Sequence, residues 1–167
     1  MRVVFVISFL ANLALTVVSV VVLPDRIATH FGAGGMADGW GSKGANALVM
    51  GALCSLMFGL FYLSPRLVLM VPPRWVNLPH KQYWLRPENK ARAAALLATC
   101  MWRFGTAMNV FLFALGVLTI EANLSQPVQL DMRRFTPLLI LFLVYTGWWC
   151  IGMFRVFRVP QEHPEAD

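Results

Sequence analysis

The stretch VVFVISFLANLALTVVSVVVL, residues 3–23, runs for 21 positions without a charge. As a helix rising 1.5 Å per residue it reaches ~31 Å, the thickness of a bilayer's hydrocarbon core. A cleaved secretory leader has a shorter apolar run ending in small residues. Here Val21, Val22 and Leu23 are bulky, so the reading is a retained membrane span.

Working outward, three further runs have the same character. A second span covers residues 45–63 and is expected to end ahead of Pro65, which lacks an amide donor and disfavours helix at Ser64. A third helix is expected over residues 87–120, opened by Pro87, with residues 104–120 as its membrane part. The fourth covers residues 137–154, with Thr136 as N-cap and Pro137 as first helical residue. Hydrophobic residues make up 58% of the 167 and charged ones only 13%, against about 25% in a soluble domain. Residues 1–167 therefore read as a single membrane domain: an all-α integral membrane protein, a four-transmembrane-helix bundle with an ordered outer loop between helices 1 and 2.

Four spans put both termini on one side. That side carries Arg2, Arg66, Arg74, Lys81, Arg86, Lys90, Arg92, Arg103, Arg155 and Arg158, and the other only Arg26, Lys43, Arg133 and Arg134. With Glu88, Glu162, Glu165 and Asp167 on the first side and Asp25, Asp38, Glu121 and Asp131 on the second, the whole net charge of +6 belongs to the first. By the positive-inside rule that side is cytoplasmic, which implies a multi-pass membrane protein with both termini in the cytoplasm. The basicity reflects topology, with contact to anionic lipid as the sharper alternative. No zinc spacing or basic recognition helix points to nucleic acid.

The polar residues exclude several chemistries. His30, His80 and His163 lie outside the spans, so no pair can ligate a haem at mid-bilayer, and no cofactor is expected. No Asp or Glu lies inside a span, which disfavours ion-coupled transport. Cys54, Cys100 and Cys150 form no ligand spacing and read as packed thiols. No nucleophile elbow, phosphate-binding glycine loop or zinc-protease motif is present, so the chain reads as no enzyme. Asn12, Ser55, Asn109 and Thr146 fall at one depth, an expected interhelical hydrogen-bond layer. Ala47, Gly51, Ser55 and Gly59 recur every fourth residue, a small-residue stripe expected to pack inside the bundle.

The outer connection, LPDRIATHFGAGGMADGWGSK over residues 23–43, is the most specific segment. Pro24 is read as starting a short helix ended by Gly32, and Asp38-Gly39 as a turn. Ile27, Phe31, Met36 and Trp40 are expected to pack down as a cap. Asp25, His30 and Asp38 admit three roles: turn and capping bonds, recognition of a peptide or protein together with Phe31 and Trp40, or a divalent metal. Their spacing matches no established metal site, so a metal-dependent reaction at this loop is the one low-ranked exception to a non-enzymatic reading. On the cytoplasmic side, Trp75, Tyr83 and Trp84 among cations read as an interfacial belt or a docking surface.

Leu23, Pro24, Asp25, Ile27, His30, Phe31, Gly35, Asp38, Gly39, Trp40, Ser42 and Lys43 together resemble the signature between the first two helices of bacterial membrane proteins carrying domain of unknown function 1648. The resemblance covers about residues 1–65. The string Tyr83-Trp84-Leu85-Arg86-Pro87-Glu88 is similar to strings in shorter family members. The family includes the immunity protein against the sporulation-delaying toxin, a longer protein that protects against the toxin and relays its presence to a repressor. The resemblance implies a small multi-pass membrane protein of immunity, sensing or envelope-homeostasis type, its outer loop meeting a ligand and its basic face reporting it. The competing expectation is an accessory or assembly subunit of a larger membrane complex.

Overall fold

The computed structural model describes residues 1–159. The element order is α1 (Arg2–Val22), β1 (Arg26–Phe31), β2 (Ala37–Ser42), α2 (Lys43–Met70), a 3-10 turn (Pro73–Trp75), α3 (Lys81–Trp84), α4 (Pro87–Leu124) and α5 (Met132–Val156). The helices α1, α2, α4 and α5 are each long and apolar enough to cross a membrane. His163 and the acids Glu162, Glu165 and Asp167 used in the charge balance lie outside the described residues.

Three boundaries differ from expectation. α2 continues through Pro65 to Met70. Proline inside a membrane helix frees one carbonyl, a loss that neighbouring helices and local adjustment offset. α5 opens at Met132, because the Asp131 side chain accepts from the Arg133 N–H at 2.9 Å, leaving Thr136 and Pro137 inside the helix. Aspartate is a strong N-cap, and its capture of a free amide outweighs the proline signal downstream. α4 runs 38 residues, ~57 Å, well beyond a hydrocarbon core.

α1, α2 and α4 pack mutually, and α5 packs on α4. The α1–α4 seam is close because α4 offers glycine where α1 offers bulk. A Cβ on Gly105 would stand 2.5 Å from Phe5 Cε2, and one on Gly116 would stand 2.8 Å from Leu15 Cδ2. Between these contacts Asn12 Nδ2 donates to the Asn109 carbonyl at 2.9 Å, and Asn109 Nδ2 donates to Ser8 Oγ at 3.0 Å. Both asparagines are buried, so the expected polar layer exists as a pair on α1 and α4. Ser55 and Thr146 are not in it: Ser55 is exposed, and Thr146 Oγ1 donates to Phe142 O on its own helix. The stripe on α2 is also corrected, since nothing stands within 4 Å of a Cβ built on Gly51 or Gly59. It faces out of the bundle.

The half of the bundle away from the hairpin is filled with rings. Phe58 stacks on Phe5 and Phe9 with centroids 5.0 and 4.3 Å away, and Phe104 meets Trp149 at 4.6 Å. Below it lies a small second core. Trp84 is buried against Phe157 and donates through Nε1 to the Phe157 carbonyl at 2.8 Å, with Ala93 and Leu97 of α4 packed beside it. Trp84 is thus no interfacial belt residue, although Trp75 remains exposed. Cys54 and Cys100 are buried, whereas Cys150 is exposed on the bundle's outer surface.

Candidate functional site

The connection between α1 and α2 is an antiparallel β-hairpin, where a short helix and turn were expected. About eight residues make a marginal helix, whereas two short strands satisfy each other's backbone groups. Ala28 pairs with Trp40 and His30 with Gly39, so Thr29 is bulged out of register. Ahead of the bulge, consecutive Ile27 and Ala28 are both fully buried. Gly39 is required on the facing strand, because a Cβ there would stand 2.8 Å from His30 Cβ.

Three sets of bonds hold the hairpin on the bundle. At its base, Ser42 Oγ caps α2 by accepting from the Ala45 N–H at 3.2 Å, while Lys43 Nζ donates to Leu23 O at 3.1 Å and lies 3.2 Å from Asp25 Oδ1. Behind it, Asn123 at the end of α4 binds the Ala28 backbone twice, accepting from its N–H at 2.6 Å and donating to its carbonyl at 3.1 Å. At its tip, Gly35 has φ +80°, a conformation that favours glycine, and its carbonyl accepts from the Leu130 N–H at 2.8 Å. Gln129 Nε2 adds a bond to Gly34 O at 3.1 Å.

The opposite face is free of those tasks. His30 Nδ1 and Asp38 Oδ1 lie 2.5 Å apart with side chains 73% and 52% exposed, and the Arg26 guanidinium sits 5.9 Å over the Trp40 ring. Met36 and Trp40 are exposed, so of the four apolar cap residues only Ile27 is buried and Phe31 half-buried, against Leu118, Ala122 and Leu130. Asp25 turns to Lys43 and away from His30 and Asp38. Among the described residues no three His, Cys, Asp or Glu side chains converge on a metal position.

The residues that match a known family lie here. Residues 7–62, from within α1 through the hairpin into α2, match the family model for a domain of unknown function, DUF1648. The chain carries a DUF1648 domain. No curated protein and no solved structure matches the chain. Within the DUF1648 domain, Gly35, Gly39, Ser42 and Lys43 build the hairpin, whereas His30, Asp38 and Trp40 are displayed by it.

Sequence reasoning missed Asn123 and Trp84 as structural anchors. Asn123 stands one residue from the end of α4 in Glu121-Ala-Asn-Leu-Ser125, and an amide there reads as ordinary helix-end polarity. Its partner is a backbone unit 95 positions away.

Beneath the hairpin the ring-filled packing gives way to a cavity of about 440 Å³. Its walls are Leu15 and Ser19 of α1, Met50 of α2, Leu115 and Thr119 of α4 and Phe135 of α5, and Asn12 closes its floor. Thr29, His30 and Phe31 of β1 and Asn46 of α2 stand at the hairpin end.

Proposed function

We propose that the chain is a non-enzymatic sensing or immunity protein of the bacterial inner membrane, with both termini cytoplasmic and the hairpin on the outer surface, where it recognises a peptide or protein. The observation that carries this reading is the division of labour across the hairpin. Its inner face and base are fixed by Asn123, Leu130 and Lys43, while His30, Asp38, Arg26 and Trp40 form an exposed polar and aromatic surface that the fold does not use. A rigid backbone mount lowers the ordering cost when a partner covers it, and aromatic and arginine side chains are frequent anchors of protein interfaces. The orientation rests on the positive-inside rule, since the end opposite the hairpin carries most of the arginine and lysine.

The test is a photo-crosslinking amino acid in place of Trp40 in intact cells. A discrete adduct, lost on His30→Ala or Asp38→Ala without a change in membrane abundance, is the expected result. Absence of any adduct dependent on His30 and Asp38 would reject the reading.

A second reading, an accessory subunit of a larger membrane complex, is favoured by the outward-facing Gly51 and Gly59 stripe, which admits close approach of another helix. Purification in mild detergent separates the two. A stoichiometric complex that Gly51→Leu dissolves supports the subunit role, and a lone monomer or dimer supports the sensor.

A further inference from the structure

The cavity under the hairpin has dimensions that follow from its walls. Along α1 it extends from Asn12 at the floor to Leu23 at the rim, eleven residues and ~16 Å of helix. Along α2 it extends from Cys54 to Asn46, eight residues and ~12 Å. Both depths are close to half the ~30 Å hydrocarbon core, the thickness of one leaflet. At about 440 Å³ the space is within the range of small-molecule sites.

Its chemistry is graded along that depth. The middle is aliphatic and aromatic, and the hydroxyls that reach it are already committed as donors. Thr16 Oγ1 donates to Asn12 O, Ser19 Oγ to Thr16 O and Thr119 Oγ1 to Leu115 O, each at 2.9 Å or less. At the floor Asn12 Nδ2 is committed twice, to Ser8 O and Asn109 O. At the hairpin end Asn46, a half-buried residue of the lining, has an amide that makes no hydrogen bond among the described residues. A ligand head that offers a donor or acceptor would give this amide a partner that the fold does not supply. No fixed charge lines the walls, and His30 at the rim is engaged with Asp38.

We propose that this cavity is a lipid-binding site: it takes one long hydrocarbon chain from the hairpin-side leaflet, with an ester or hydroxyl head hydrogen-bonded to Asn46. The hydrocarbon chain occupies the apolar shaft walled by α1, α2 and α4, and the head lies where Thr29 and Ser19 add hydroxyl oxygens. This inference does not depend on what the exposed face of the hairpin recognises.

The same chemistry is presented by the glycerol ester of a bilayer phospholipid and by a free monoacylglycerol. The full chain is reconstituted into phosphatidylethanolamine and phosphatidylglycerol vesicles containing either a phospholipid or a monoacylglycerol with a diazirine in its acyl chain, irradiated, and its adducts are mapped by mass spectrometry. The expected result is adducts concentrated on wall residues such as Met50 and Leu115, and the probe that gives them identifies the source. Thr119→Phe, which fills the shaft, should reduce these adducts severalfold with unchanged melting. Asn46→Leu, branched alike at Cγ, should reduce them about tenfold, the loss expected of one hydrogen bond. Asn46→Leu also serves if Thr119→Phe fails to fold. Adducts spread over lipid-facing Val17, Val18 and Leu141, and indifferent to Asn46→Leu, would overturn the proposal, as would Asn46→Leu raising the melting temperature with labelling intact. Trp40→Ala should leave the adducts unchanged, which separates failure here from failure of the hairpin's recognition role.

Discussion

The Asn123 side chain occupies the position of a third strand for one residue, matching both the N–H and the carbonyl of Ala28. Both partners are buried, so no water replaces either bond. Asn123→Ala should therefore cost about 1–3 kcal/mol for each backbone group left unpaired. Thermal melting in detergent should fall, and hydrogen exchange should show the loss first at Ile27 and Ala28. Asn123→Asp keeps the acceptor but sets a carboxylate oxygen against the Ala28 carbonyl in a buried site, and should melt no higher than Asn123→Ala.

Close approach along α1 and α4 predicts opposite effects for two glycines. Gly105→Ala drives a methyl into Phe5 and should destabilise by about 1–3 kcal/mol, with recovery in Phe5→Leu. Gly51→Ala meets open space and should stabilise by roughly 0.4–1 kcal/mol through helix propensity. Paired melting curves check both.

Trp84→Ala should cost about 3–5 kcal/mol, as expected for a buried indole. Trp84→Phe keeps ring packing but leaves the Phe157 carbonyl unpaired, and should cost less. Limited proteolysis near Phe157 is the readout, since this core ties α3 to the end of α5.

His30→Ala and Asp38→Ala should change membrane abundance and melting very little, because a hydrogen-bonded pair this exposed contributes at most about 1 kcal/mol. If either variant lowered abundance as much as Asn123→Ala does, the pair would be structural and the hairpin's exposed face would lose its recognition role.

Topology is tested at the exposed Ala33 in the hairpin loop. A cysteine placed there should react with an impermeant thiol reagent in intact cells, while a carboxy-terminal reporter active only in the periplasm should stay silent.

The spans were legible because twenty apolar residues in a row have few other uses, and Pro87 opened α4 where its fixed φ suits a first turn. Helix ends were less legible. Asp131 and Pro137 compete for the start of α5, and only the distance from the aspartate to the Arg133 amide decides between them. A strand stands where a short helix from Pro24 to Gly32 is expected, because the bonds that fix the hairpin come from Asn123 and Leu130, which no local pattern around residues 24–43 reveals. The facing of the α2 stripe was equally unreadable. Spacing identifies which residues share a side of a helix, and packing decides what that side meets.

The tie between Gly35 and Leu130 joins the loop after α1 to the loop before α5, so the hairpin-side ends of the first and last spans are fastened together. The stretch recognisable as a DUF1648 domain stops at residue 62, yet its hairpin borrows an amide from position 123 and a backbone N–H from position 130. The unit that sequence comparison delimits is consequently smaller than the unit that folds. A fragment cut at the domain's edge would carry every hairpin residue and lack the parts that make the hairpin a fixed object.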